Sequence, residues 1–177
     1  MHYCTLLITK KLPTDDEIKK DMEPFNEFRE PDGVEYPTFE FDWYEIGGRY
    51  SGLIKLSTEN NDKYKWKDYA KEPRNRRLFI STILDEFKEK RFTHEERLML
   101  SLGSRDGYIY VDGAWIEDIL NLDEIRGYNL VLPDGTACTR EWWNGHDFIP
   151  QEGYDDKVKK AFEIYKDCFL TVIDIHD

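Results

Sequence analysis

Cysteine is scarce in this chain, with three residues in 177, and Cys4, Cys138 and Cys168 lie far apart with no CxxC pair among them. An odd, scattered set of this kind excludes a disulfide framework and a zinc ribbon, and it fits a reducing cytoplasm. Histidine is equally sparse: there are four, none at the short paired spacing by which a zinc site declares itself, so neither a metal nor a cofactor is expected. No apolar run approaches the ~18 residues of a membrane span. The opening Met1–Thr9 is apolar for too few residues, and lacks the basic flank and cleavage site, to read as a signal segment. The GxxxxGK[ST] pattern of a phosphate-binding loop is missing, as are internal repeats, linkers and low-complexity tracts. The expectation is a cytoplasmic protein with no membrane partner.

What the chain does have is an aromatic share of 15 % within a hydrophobic share of 40 %. That is enough to bury a core built largely from Trp, Tyr and Phe, and 177 residues fit one domain spanning 1–177. The formal charge is −12, but residues 61–100 hold eleven Lys/Arg against eight Asp/Glu, which leaves −15 on the rest. One basic stretch sits in an acidic protein, so nucleic acid is repelled over most of the surface.

Residues 3–9 read as a buried strand. Thr14-Asp15-Asp16-Glu17 forms a capping box ahead of a helix with Ile18, Met22 and Phe25 on its inner face, which Pro24 kinks or stops near Glu23. Residues 30–38 carry loop chemistry. A hairpin is expected next, with Phe39, Phe41 and Trp43 on one face, Glu40, Asp42 and Tyr44 on the other, and Gly47-Gly48 turning the chain before Tyr50–Leu56 return. Asn60-Asn61-Asp62 reads as a turn, and Lys63 to Lys67 as an exposed edge strand. Helical spacing from Leu78 to Phe87 and from Thr93 to Leu102 marks two packed helices, so that 57–105 is a helical insertion. Short antiparallel strands follow at 108–111, at 114–116 beyond an Asp112-Gly113 turn, and at 128–132 before a Pro133-Asp134-Gly135 turn. Asp155 opens a helix with Val158, Ala161, Phe162 and Tyr165 on one face, and 168–175 is an apolar terminal strand. The fold class is α+β, an antiparallel sheet with helices on one face, drawn as a ferredoxin-like core with the helical insertion.

Asp42-Trp43-Tyr44-Glu45-Ile46-Gly47-Gly48-Arg49-Tyr50-Ser51-Gly52 is the least ordinary segment. It resembles a segment, roughly Asp-Trp-Tyr-x-Ile-Gly-Gly-Arg-aromatic-Ser-Gly, of small uncharacterised proteins encoded by bacteriophages and prophages. The opening strand, the Thr14 helix start and the Leu170–His176 ending are similar to that family too, whereas 57–105 is not. The resemblance implies an origin in a mobile element and a bacterial host cell, with no established activity. By analogy it implies counter-defence, such as CRISPR inhibition.

Each chemical candidate has an ordinary counterpart. Gly47-Gly48-Arg49 offers convergent amides and a guanidinium to an anion, with Ser51 adding a donor, or is a hairpin turn whose Arg49 pairs with Asp42 or Glu45. Trp142-Trp143-Asn144-Gly145-His146-Asp147 offers a loop that stacks a base or presents a general base, or one anchored by its rings. Asp174-x-His176-Asp177 approaches a metal set with His146 or His2 only if the terminal strand runs beside the first. Cys138 with His146 makes a nucleophile and base only if the fold joins them, and free cysteine is commonly a small buried hydrophobe. Lys63, Lys65 and Lys67 are the one place where nucleic acid would dock, or else protect an edge.

No residue is assigned a catalytic role. The leading reading is a non-catalytic binding protein that inhibits or modulates a host protein through its acidic, aromatic-rich surface. The residues chosen for ligand or partner are Asp42, Trp43, Gly47, Gly48, Arg49, Tyr50, Ser51, Trp142, Trp143, His146 and Asp147. The alternative is a small-molecule site, for a nucleotide with or without hydrolysis, formed by the Gly-Gly-Arg hairpin and the Trp142–Asp147 loop.

Overall fold

The computed structural model describes residues 1–28, 38–60, 63–64, 104–105 and 108–177. Its spine is two eight-residue strands, β1 (His2–Thr9) and β11 (Phe169–His176), paired antiparallel from His2 opposite His176 to Thr9 opposite Phe169. Both are almost continuously apolar because both of their faces are covered. On one face Leu7, Phe169, Ile173 and Ile175 pack with Ile18 and Met22 of helix α1 (Asp15–Met22), and with Phe25 and Phe41. On the other, Leu6, Ile8, Leu170 and Val172 pack with Tyr154, Val158, Ala161 and Phe162 of helix α2 (Tyr154–Ile164).

Strand β7 (Asn129–Val131) lies parallel to β1, and β8 (Ala137–Thr139) returns antiparallel to it through the expected Pro133-Asp134-Gly135 turn. Across the spine, β2 (Trp43–Ile46) pairs with Ile173–His176 and β6 (Gly113–Trp115) with Phe169–Thr171, both antiparallel to β11. The order is β2-β11-β1-β7-β8, with β6 beside β11. A second sheet, in the order β3-β5-β4, contains β3 (Ile54–Ser57), β4 (Ser104–Arg105) and β5 (Tyr108–Val111). A hairpin of β9 (Glu141–Trp143) and β10 (Phe148–Pro150) stands apart from both sheets.

The protein is α+β with a mostly antiparallel sheet, as expected. The placement of the helices differs: α1 and α2 cover opposite faces of the main sheet rather than one, because β1 and β11 present apolar side chains alternately to both sides. A ferredoxin-like core has both helices on one face, so the split of α1 and α2 departs from that drawing.

The capping box at α1 is formed, with the Glu17 amide donating to Thr14 Oγ1 at 3.3 Å and the Thr14 amide to Glu17 Oε2 at 2.9 Å. The helix ends at Met22, and Pro24 sits in a 3-10 turn over Glu23–Phe25.

Two expected pieces of local structure are replaced. There is no hairpin across Gly47-Gly48, since β2 joins the main sheet and β3 the second one. Nor does the facing run unbroken: Phe41 is buried and Trp43 exposed, because the chain bends at Asp42 before β2 begins. Asp112-Gly113 likewise does not fold the chain back but passes it from β5 in one sheet to β6 in the other.

Lys63 and Tyr64 lie in a turn, not an edge strand. Tyr64 is 0 % exposed; its hydroxyl donates to Asp118 at 2.6 Å and accepts from the Trp115 amide at 3.0 Å. A single large ring under a bond-forming hydroxyl is a core anchor, and period-two alternation of Lys with aromatics does not reveal that. Lys65, Lys67, the expected helices at 78–102 and the loop at 30–37 lie outside the described residues, as does most of the expected insertion.

Candidate functional site

The Gly47–Gly52 segment is held by two buried carboxylates of the chain itself. Asp112, at the crossing between β5 and β6, accepts from Ser51 Oγ at 2.9 Å and from the Gly52 amide at 2.7 Å. Asp174, on β11, accepts from the Arg49 amide at 2.8 Å and from His2 Nδ1 at 3.0 Å. The backbone is fastened as well: the Gly47 amide donates to Val172 O, and the Val172 amide to Asp112 O, each at 2.8 Å. Gly47 and Gly48 have φ of 68° and 49°, where side chains are disfavoured. A Cβ on Gly47 would collide with Asp112 and Ser51, and one on Gly48 would sit 2.5 Å from Asp174 Cβ.

The spacing that singled out this segment is therefore accounted for by a close approach of backbone to carboxylate. Amides that could cradle an anion already hold Asp174 and Asp112, whose charge opposes a second anion. Arg49 is exposed, and its guanidinium forms no ion pair among the described residues. Asp42, expected as one of its partners, instead accepts from His176 Nδ1 at 2.9 Å.

Beside this turn, on the edge of the main sheet, Trp43 stacks on His176 with ring centroids 5.5 Å apart and planes 10° from parallel. His2 stands edge-on to both, 5.5 Å from Trp43 and 5.0 Å from His176. The antiparallel register that sets His2 opposite His176 makes the cluster. Each imidazole is oriented by a carboxylate, Asp174 for His2 and Asp42 for His176, with Nδ1 as the donor in the neutral ring. The terminal strand does run beside the first, yet no group of three or more His, Cys, Asp or Glu able to hold a metal occurs among the described residues.

A cleft of about 320 Å³ opens at the end of the sheet face that α1 covers. Tyr3 of β1, Ile175 of β11 and Asn129 of β7 contribute its sheet side; Phe39, Tyr128, Trp142, Trp143 and Phe148 supply rings, and Glu40, Glu141 and Asp177 supply carboxylates. Tyr3 and Tyr128 lie 4.6 Å apart centre to centre, and Trp143 and Phe148 lie 5.1 Å apart across the β9–β10 hairpin. Tyr128 donates to Glu141 at 3.1 Å; burial, then that bond, push its phenol above the ordinary value. Among the described residues no Lys or Arg lines the cleft. Arg140, its neighbour in sequence, is drawn away to Asp155 at 2.6 Å and lies over the Tyr154 ring. Two polar atoms in the lining, Asn129 Oδ1 and Thr38 Oγ1, are buried with no hydrogen-bond partner, although Asn129 Nδ2 donates to Thr5 at 3.1 Å.

Of the sequence-predicted residues, Trp142 and Trp143 line this cleft; they stand on β9 rather than in a loop. His146 and Asp147 belong to the exposed turn that caps the hairpin, where Asn144 Oδ1 accepts from both of their amides at 2.8 Å. Asp42 and Trp43 belong to the histidine cluster, and Gly47, Gly48, Arg49, Tyr50 and Ser51 to the carboxylate-held turn. None of these seven lines the cleft, which takes Trp142 and Trp143 alone of the predicted set.

Sequence reasoning passed over Tyr3, Tyr128, Asn129, Glu141 and Phe148. The one signal available was Asn129, an amide inside the apolar run Tyr128–Leu132 that had to find a purpose in a buried strand.

The thiols are poor nucleophiles. Burial, then the charge of Asp174, pushes Cys4 up to about 12, and burial raises Cys138 and Cys168 as well. No hydrogen bond joins Cys138 to His146 among the described residues; the Tyr50 hydroxyl donates to the backbone oxygen of His2 at 3.0 Å, and the His2 and His176 imidazoles bond to Asp174 and Asp42. No protein-family model, curated protein or solved structure matches the chain.

Proposed function

We propose that this chain is a non-catalytic binding protein that occupies a basic surface of a partner protein with the acidic, aromatic face around the β9–β10 hairpin. One observation carries the reading. Trp142, Trp143 and Phe148 stand 46 %, 55 % and 50 % exposed on one short hairpin, beside a cleft that has three carboxylates and no basic side chain among the described residues. Exposed rings grouped in this way mark interaction surfaces, where Trp and Tyr act as anchors. The net charge of −12 adds long-range attraction toward a basic partner. The resemblance of the Asp42–Gly52 segment and of both chain ends to phage and prophage proteins directs the proposal to a bacterial host factor, with counter-defence as the biological setting.

The small-molecule alternative retains the cleft, while in the Gly-Gly-Arg turn the Gly47 amide already donates to Val172 O and the Arg49 amide to Asp174. Calorimetry with mono-, di- and cyclic nucleotides tests it, with no detectable heat expected. The binding reading is tested by affinity capture from bacterial lysate with wild type and with Trp142→Ala/Trp143→Ala. One host protein retained by the wild type and lost by the variant is the expected result. Equal retention by both would remove the hairpin from the account.

A further inference from the structure

The chemistry of the cleft selects among cations. Its walls are aromatic faces, and its charged groups among the described residues, Glu40, Glu141 and Asp177, are all carboxylates. A ligand that meets all of these needs is planar, cationic and rich in N–H donors. An ammonium satisfies the charge but not the flat faces. A guanidinium has both, with five donors in a rigid fork, and it stacks on aromatic rings.

We propose that the cleft is a receptor for the guanidinium of an arginine displayed on a partner protein, with Glu141 as its charged acceptor and Trp142, Trp143 and Tyr128 as stacking faces. This rests on the binding-protein reading and deepens it by naming what enters. Glu141 is suited to the task because Tyr128 already donates to Oε2 and holds the carboxylate in place at the rim. The displayed side chain is favoured over a free metabolite because the rings continue onto the open hairpin, where Trp143 and Phe148 remain half exposed and would cover backbone on either side of the arginine.

The test is titration of the full chain with a capped Gly-Arg-Gly peptide, followed by tryptophan fluorescence and NMR shifts, against the same peptide with citrulline or lysine and against free L-arginine. Citrulline keeps the shape and loses the charge. The arginine peptide is expected to bind at least tenfold more tightly than the citrulline and lysine peptides and than free arginine. Glu141→Gln is expected to weaken it about tenfold, with the melting transition unchanged; Trp142→Ala gives a second, independent loss should Glu141→Gln alter the fold.

Binding of citrulline equal to that of arginine, or no effect of both variants, overturns the proposal. Free L-arginine binding as tightly as the peptide overturns the displayed side chain. Absence of arginine-peptide binding at millimolar concentration overturns the guanidinium assignment, while the lysate capture, which does not depend on the identity of the entering group, separately decides the binding reading.

Discussion

Asp112 and Asp174 are buried, each accepts two hydrogen bonds, and each fastens part of the Gly47–Gly52 turn to the sheet behind it. Removing such an acceptor strands buried donors, so Asp112→Ala is expected to cost about 2–4 kcal/mol, measured as a lowered urea midpoint. Gly48→Ala adds both a disfavoured φ and a contact with Asp174, and should be at least as damaging. Arg49→Ala, in the same segment, removes only an exposed side chain and should shift stability by less than about 0.5 kcal/mol. Equal damage from Arg49→Ala and Gly48→Ala would mean that the guanidinium holds structure after all.

The buried acids of the core also set a pH limit. Cys4, Tyr64 and Tyr154 all ionise above their ordinary values, Cys4 at about 12, chiefly through burial. The unfolded chain therefore gives up these protons first as pH rises. Stability is complete below the unfolded value of 9.0 for the thiol and is lost as pH climbs beyond it. Thermal melts should be flat from pH 7 to 8.5 and fall steadily above pH 9.

At the scale of elements, β11 supports the most: it pairs with β1, β2 and β6 and contributes to both apolar clusters. Deleting the last ten residues should abolish the cooperative melting transition, and a native-like transition in the truncated chain would contradict its central place. Thr14→Ala, which removes one half of the α1 capping box, should cost about 1 kcal/mol.

β1, β11, α1, α2 and the β7–β8 turn were legible because each is defined by short-range chemistry: an apolar run, a capping box, an apolar stripe, a Pro-Asp-Gly turn. Partner choice was not. Gly47-Gly48 reads as a hairpin turn because positive φ is common there, but the glycines serve two aspartates 65 and 126 residues further on, and local sequence does not specify which carboxylate comes near. The cleft was illegible for the same reason. Its walls are drawn from β1, β7, β9, β10 and β11, and only the sheet order brings Tyr3, Tyr128 and Trp143 to one place.

In the whole molecule, the proposed binding face is the open β9–β10 hairpin with its acidic cleft, whereas the carboxylate-held turn serves stability. The two sites share no lining residue, so they should separate experimentally. Trp142→Ala/Trp143→Ala changes exposed rings and should leave the melting temperature nearly unchanged, with a stability cost below about 1 kcal/mol. The most direct test is amide hydrogen exchange of the chain alone and in complex with the host protein that it captures. The account predicts new protection at Tyr128, at Glu141–Trp143 and at Phe148–Ile149, with Gly47–Gly52 equally protected in both states. Protection that appears at Gly47–Gly52 and spares the β9–β10 hairpin would contradict it.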